Sequence, residues 1–122
     1  MDRYARIAEK VADMAVTVTE APGLNAALAD FVSHCQKMLD DYMASTFPNN
    51  PRKNLEWTVG GRWVRIVSKD VSSRSAWAFV DRTTGDVMKP ASWSVPAKHP
   101  RANVFDKASW RNVGPYGPAY LR

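Results

Sequence analysis

An apolar stripe between two pairs of chain breakers is the feature of this sequence that most constrains its fold. Pro22 and Gly23 precede the stripe, and Phe47 and Pro48 follow it. The apolar side chains between them recur at helical spacing, at Leu24, Leu28, Phe31, Cys35, Met38, Leu39 and Tyr42. Because this period gathers apolar residues on one side of a helix, we predict a helix that buries one face and ends before Phe47.

A similar stripe lies on the N-terminal side of Pro22. Its apolar residues are Tyr4, Ile7, Ala8, Val11, Met14, Ala15 and Val18. β-Branched residues at 16–19 weaken the end of this helix, and the break falls near residues 20–23. With so short a connection, the two helices should fold back on each other as an antiparallel hairpin over residues 2–46.

Beyond a turn-rich linker at residues 48–54, the pattern changes to the period of two that is typical of strands. The predicted strands lie at residues 62–68, 75–81 and 87–89, and Trp57 to Val59 lead into the first of them through a glycine pair. The run DRTTGD places Gly85 where a turn needs a positive φ, and Pro90 ends the last strand. We therefore predict an antiparallel β-meander of three to four strands over residues 55–90.

The C-terminal segment, residues 91–122, contains too many prolines and glycines for a long helix or a central strand. Its apolar residues should nevertheless hold it against the body of the protein. The sequence thus predicts one α+β domain over residues 1–122. In it, an N-terminal helical hairpin packs on a small antiparallel β-meander, and an irregular proline-rich segment wraps around both.

Charge and tryptophan are both distributed unevenly along the chain. Residues 1–46 carry four basic and seven acidic side chains, whereas residues 47–122 carry thirteen basic and five acidic ones. The net charges of the two parts are therefore −3 and +8. All five tryptophans lie after position 50. An acidic scaffold followed by a basic, tryptophan-rich part suggests a working surface for a polyanion or an acidic protein.

The residues that common enzyme sites require are not found at useful spacings. His34 and Cys35 are adjacent, so on a helix they point about 100 degrees apart and share neither a metal nor a proton-transfer role. The Gly60–Gly61 pair lacks the lysine and hydroxyl of a phosphate loop. Asp81 and Asp86 bracket a turn, where carboxylates ordinarily accept backbone hydrogen bonds. We predict no catalysis, no cofactor and no metal.

Neither export nor membrane insertion is expected from the sequence. The N-terminus is charged from its second residue and lacks the apolar run of a signal peptide. The apolar runs elsewhere are far shorter than the roughly 20 residues that cross a bilayer. The single cysteine fits a reducing compartment, so a cytoplasmic location is predicted.

Basic and aromatic residues mark the candidate binding surface. On the strand at residues 62–68, one face should carry Arg62, Val64 and Ile66, and the other Trp63, Arg65 and Val67. The open side of the sheet could display Trp63, Arg65, Arg74, Trp77 and Lys89 for stacking bases and neutralising phosphates. The densest basic run is the proline-rich stretch that ends near Asn103. The candidate binding residues are Arg62, Arg65, Arg74, Lys89, Trp93, Lys98, His99 and Arg101.

Burial in the core is the competing interpretation of the tryptophans, because in a small domain this side chain is more often core than ligand platform. We expect burial for Trp57, Trp63 and Trp77, which lie on predicted strands. Trp93 either pins its loop to the body or contacts a ligand.

The run AWAFVDRTTGDVMK leads into KPASWSVPAKHPRAN, and GPYGPAYLR closes the chain. Over residues 75–122 these runs resemble a family of small, largely uncharacterised tailed-bacteriophage proteins. The most specific block comprises Lys89, Ala91, Ser92, Trp93, Pro96, Ala97 and Lys98. Many relatives have glycine where this chain has Ala102. The resemblance implies a phage source and the host cytoplasm, and it supplies no activity.

Two functions follow as hypotheses. The first is a phage accessory protein that binds nucleic acid, DNA or RNA, through its basic and aromatic surface. The second is a protein-binding module that inhibits or modulates a host or defence protein, or a minor component of the phage particle, with the aromatic loop as the interface hot spot.

Overall fold

The computed structural model describes residues 19–119, so the predicted first helix and its pairing in a helical hairpin lie outside the described residues. The described helix, α1, is Leu24–Thr46. It begins after Gly23, whose φ of 77° is left-handed, and ends where the Phe47 N–H donates to the Met43 carbonyl at 2.8 Å. Its buried face consists of Leu24, Leu28, Phe31, Val32, Cys35, Leu39 and Met43. The prediction of a helix between the two pairs of breakers is confirmed.

Within residues 19–119, five strands form the main sheet: β1 Asn54–Val59, β2 Trp63–Lys69, β3 Arg74–Asp81, β4 Asp86–Met88 and β5 Ala102–Asn103. Neighbours in the sheet follow each other along the chain, and every pair is antiparallel. The prediction of a mixed chain with an antiparallel sheet is confirmed. The number of strands is larger than predicted, because two residues from the proline-rich segment pair with β4 as β5.

One face of the sheet forms the core together with α1. The residues that the sheet contributes are Leu55, Val64, Ile66, Trp77, Ala78, Val80, Val87 and Ala102. The register pairs Val64 with Val80 and Ile66 with Ala78, as expected when alternate residues share a face. The register then shifts: Ile66 pairs with Ala78 and Val67 with Ala76, so Trp77 of β3 is the extra residue and has no partner on β2. Burial of this face fixes the register, since a slip by one residue would expose it.

The opposite face of the sheet carries different side chains. Arg65 pairs with Thr58 on β1 and with Phe79 on β3, so all three side chains lie on the side away from α1. Trp63 lies on the same face, with its ring edge-on to Phe79 at a centroid distance of 6.5 Å. This side of the sheet is therefore the one that mixes aromatic and basic groups.

Arg82, just after β3, joins three parts of the fold. Its Nη1 donates to the Gly60 and Gly61 carbonyls at 2.9 and 2.7 Å, and its Nη2 pairs with Glu20 at 3.1 Å. The Ala21 N–H donates to the Arg82 carbonyl at 2.8 Å. The β1–β2 turn and the approach to α1 are thereby held at one end of the sheet.

The C-terminal segment is more regular than predicted. It contains a 3-10 helix at Lys107–Asn112 and a two-stranded ribbon of β6 Val113–Gly114 and β7 Gly117–Pro118. Trp110 on the 3-10 helix is buried against Phe31 of α1, with ring centroids 5.4 Å apart. The segment therefore completes the core beside α1.

The β6–β7 ribbon offers a matched test of this packing. Gly117 has a φ of 106°, and a Cβ there would lie 2.7 Å from the Trp77 carbonyl oxygen. Its partner Gly114 has nothing within 4 Å of such a Cβ. We expect Gly117→Ala to lower the free energy of unfolding by about 2–4 kcal/mol, and Gly114→Ala to change it by less than about 0.5 kcal/mol. Urea denaturation followed by tryptophan fluorescence measures both, and equal effects would contradict the close approach.

Candidate functional site

The proline-rich stretch after β4 folds into a hairpin loop that presents Trp93. The Ala97 N–H donates to the Lys89 carbonyl at 2.7 Å, and the Ala91 and Ser92 N–H groups donate to the Val95 carbonyl at 2.8 and 3.1 Å. Pro90 and Pro96 lie opposite each other in an isolated antiparallel β-bridge at the base of the loop. We call residues 89–97 the Trp93 loop. Because proline fixes φ, Pro90 and Pro96 limit the conformations that this loop can adopt.

Two arginines from the sheet meet the indole of Trp93. The guanidinium carbon of Arg65 lies 4.2 Å from the ring centroid, and that of Arg74 lies 5.6 Å from it. The Trp93 side chain nevertheless remains 40% exposed. The arrangement is a double cation–π contact with one part of the ring open to solvent.

The turn between β2 and β3 explains why Arg74 reaches this place. Both Ser72 and Ser73 donate their backbone N–H groups to Asp70 Oδ1 at 2.9 Å. These bonds hold the pKa of Asp70 below its ordinary value. The tight turn pairs Lys69 with Arg74, which places Arg74 at the end of β3 beside the strand that carries Arg65.

Arg65 and Arg74 are not neutralised by the rest of the described chain. Within residues 19–119, no carboxylate lies within 4.0 Å of either guanidinium. Arg65 makes one hydrogen bond, from Nη1 to the Trp93 carbonyl, at the long distance of 3.4 Å. Donors of both side chains therefore remain for an anion.

A groove of about 430 Å³ adjoins this pair on the same face of the sheet. Its lining includes Thr58, Gly60, Gly61, Arg62, Trp63, Arg65, Phe79 and Ser94. The glycine pair contributes no side chains, so the space beside the half-buried Trp63 stays open. Ser94 belongs to the Trp93 loop, which therefore forms one wall. The groove and the Trp93 contact are parts of one continuous surface.

Arg62 lies on the side of the sheet opposite to the predicted one. It precedes the first residue of β2, so strand alternation does not govern it. Its Nη2 donates to Asp81 Oδ2 at 2.9 Å, and its guanidinium lies 5.2 Å from the Trp63 ring. Asp81 draws Arg62 across to the face that carries Trp63.

The Asp81 carboxylate is buried and stays ionised. Burial alone would raise its pKa, but hydrogen bonds from Thr83 at 2.6 Å and from Arg62 outweigh this and lower the pKa. The prediction that this carboxylate accepts hydrogen bonds from the turn is consistent with the 2.9 Å bond from the Thr83 N–H. Asp81 thus closes the β3–β4 turn and orients Arg62.

The remaining candidate residues lie around the Trp93 loop. Lys89 Nζ donates to the Pro118 carbonyl at 3.1 Å, and Arg101 Nη1 donates to the carbonyls of Lys98 and His99 at 2.8 and 2.7 Å. Lys98 and His99 themselves are exposed, and His99 adopts a φ of 72°. Lys89 and Arg101 therefore support the backbone, whereas Lys98 and His99 face solvent.

The tryptophans differ in burial. Trp77 is only 5% exposed and donates from Nε1 to the Pro115 carbonyl at 3.2 Å, so its candidacy for the open face is wrong and its predicted burial is correct. Trp57 is 38% exposed, so its predicted burial is wrong. Trp57 lies on the edge strand β1, on the α1 side of the sheet, where it lines an open groove together with residues of α1 such as Val32. Trp63 is half-buried at the groove.

Cys35 and His34, residues of α1 that could act as a nucleophile or as metal ligands, pack against other parts of the structure. Burial raises the pKa of the Cys35 thiol to about 12, which keeps it protonated. The His34 ring packs on Trp110 at a centroid distance of 5.1 Å. Among residues 19–119, no three His, Cys, Asp or Glu side chains are grouped to hold a metal ion. No helix in this part of the chain is long and apolar enough to cross a membrane.

The chain matches a family of unknown function, DUF7717, over residues 3–114, and it belongs to that family. No curated protein and no solved structure matches it.

The buried carboxylate that orients Arg62 makes stability depend on pH. Because the folded-state pKa of Asp81 is lowered, its contribution is present above the ordinary aspartate pKa of about 3.9 and is lost as pH falls through the folded-state value. We expect Asp81→Asn to cost about 1–2 kcal/mol at neutral pH and progressively less in acid. Urea denaturation across pH measures this. Asp86→Asn, at the other end of the turn, is the control, and an equal loss there would contradict the assignment.

Proposed function

We propose that this protein is a small phage accessory protein that binds nucleic acid, without catalysis, through the surface formed by Arg62, Arg65, Arg74 and Trp93. We call these residues the Trp93 surface. The observation that carries the proposal is that two guanidinium groups, without carboxylate partners among the described residues, lie 4.2 and 5.6 Å from the ring centroid of a partly exposed indole.

This combination suits a polyanion that also carries aromatic bases. Arginine donates to phosphate oxygens in a fixed fork, and an exposed indole gives a base a surface on which to stack. Placed together, the two groups can contact the backbone and a base of the same nucleotide. The net charge of +8 over residues 47–122 adds long-range attraction.

The proposed phage origin and host-cytoplasmic location rest on the resemblance of residues 75–122. Its most specific block, Lys89 to Lys98, coincides with the Trp93 loop and the lysine that follows it. The block therefore corresponds to the element that presents the indole. If the similar proteins share the need to present a tryptophan on such a loop, this would explain why their common block combines prolines with one tryptophan.

A protein-binding role is the second candidate, and the apolar character of the loop favours it. Trp93 and Val95 are 40% and 53% exposed on the same ordered loop. Rigid, exposed aromatic residues beside arginine are typical of interface anchors. A protein partner held by this apolar contact would bind with weak salt dependence, in contrast to nucleic acid.

A charge-matched pair of double variants tests the nucleic-acid proposal. Arg65→Gln with Arg74→Gln removes two charges from the Trp93 surface. Lys107→Gln with Arg111→Gln removes two exposed charges from the 3-10 helix, which packs beside α1 on the other side of the sheet. By fluorescence anisotropy at low salt, we expect the first pair to weaken oligonucleotide binding at least about ten-fold and the second by less than about three-fold.

Salt dependence gives an independent readout of the same proposal. Wild-type affinity should fall steeply between about 50 and 200 mM salt, and the Arg65 and Arg74 double variant should show a shallower slope. Circular dichroism confirms that both variants are folded. If wild type does not bind at low salt, or if both double variants lose affinity equally, the Trp93 surface is not a nucleic-acid site.

A further inference from the structure

The groove beside the Trp93 surface has a volume and an aromatic lining that phosphate contacts alone do not require. A duplex presents its phosphates on a convex outer surface, which a flat group of arginines can meet. Here an open space of about 430 Å³ is lined by Trp63 and Phe79 from the sheet and by Ser94 from the Trp93 loop. Its volume falls within the roughly 300–1,000 Å³ common for small-ligand sites.

The lining of the groove combines an aromatic wall with polar groups at its margins. The half-buried Trp63 presents an indole to it, and Phe79 lies edge-on beside that ring. Thr58 and Ser94 supply hydroxyl groups, which both donate and accept hydrogen bonds. These groups suit a flat heteroaromatic ring with polar edges rather than an aliphatic chain.

Two arginines at the groove, Arg62 and Arg65, are placed to bind a phosphate attached to a ring that occupies the groove. Arg62 is fixed by Asp81 through Nε and Nη2, so its Nη1 is not used in that pair. Arg65 lines the groove and also contacts Trp93. A ring within the groove would therefore lie next to donors for the phosphate group attached to it.

We propose that the groove binds one unpaired base of a single-stranded nucleic acid against Trp63, with the adjoining phosphate on Arg65 and the next base on Trp93. This inference rests on the proposed function and narrows it from nucleic acid to single strands. A base within a duplex has both faces stacked and its edge paired, so it cannot enter such a groove without being flipped out. An unpaired base enters without that cost.

The test compares strand type and groove variants by fluorescence anisotropy. The probes are labelled oligo(dT) and oligo(rU) of about 12 nucleotides, within the site sizes of single-strand binders, and a duplex of the same length. We expect wild type to bind the single strands at least about five-fold more tightly than the duplex. The DNA and RNA arms distinguish the two sources of unpaired bases.

Two variants alter the groove and one serves as a matched control. Trp63→Leu removes the stacking wall and should weaken single-strand binding about five-fold or more. Gly61→Leu adds a side chain where a Cβ meets nothing within 4 Å, so it should fold normally and block the groove. Trp57→Leu removes an exposed tryptophan from the opposite face of the sheet and should leave affinity unchanged within about two-fold. Duplex binding should change little in any of the three.

The outcomes separate this inference from the proposed function. If wild type binds single strands and duplex equally, or if Gly61→Leu retains full single-strand affinity, the groove does not hold a base, even where the arginine variants show that the surface binds phosphate. If no probe binds at low salt, both proposals fail. The strand preference of wild type needs no substitution, so a Trp63→Leu protein that does not fold leaves the test intact.

Discussion

Coverage of a five-stranded sheet by one described helix is the constraint on which the rest of the structure depends. α1 buries the face that carries Val64, Ile66 and Val80, and this burial fixes the register of the strands. The same register places Trp63, Arg65 and Phe79 on the other face. On that face Trp63 and Arg65 remain half-buried, whereas Phe79 is buried.

The contact between Arg65 and Trp93 holds the loop against the sheet and positions the indole on the surface that we propose for binding. Stacking at 4.2 Å fixes the indole without covering it, and the prolines of the Trp93 loop limit the conformations it would otherwise sample. A surface that is already ordered loses little entropy when a ligand binds. The guanidinium can also contact the ring through its face while it donates N–H groups to an anion in its own plane, so the structural and binding roles do not compete.

Local patterns in the sequence predicted the helix and turns, whereas the candidate site depends on contacts between residues that are far apart in the sequence. The helix between Gly23 and Phe47 and the β3–β4 turn at Gly85 followed from breakers, period and φ preference, all of which act within a few residues. Arg65 and Trp93 were both candidates, but their contact spans 28 positions and depends on the path of a loop that no periodicity describes. The order of the strands in the sheet could not be read from the sequence either. That order places Trp57 on the edge strand, where it is exposed. The groove had one local signal in the sequence, the glycine pair at residues 60–61. Only the folded structure shows that this pair leaves open space beside Trp63.

Several basic side chains of the chain are paired with carboxylates, so fewer of them can contact a polyanion than the sequence suggests. This narrows the part of the surface that could bind one. Ion pairs engage Arg52 with Asp40, Lys53 with Asp70, Arg62 with Asp81 and Arg82 with Glu20. At the surface such pairs add little stability, but each places a negative charge beside a positive one and shortens the reach of its field. Arg65 and Arg74 have no such partner among the described residues, and acidic groups of α1 such as Asp41 lie on the helix beyond the other face of the sheet. Arg65 and Arg74 therefore place two positive charges without carboxylate partners beside Trp93, and the proposed approach of a phosphate to this side of the sheet follows from that local arrangement rather than from the net charge.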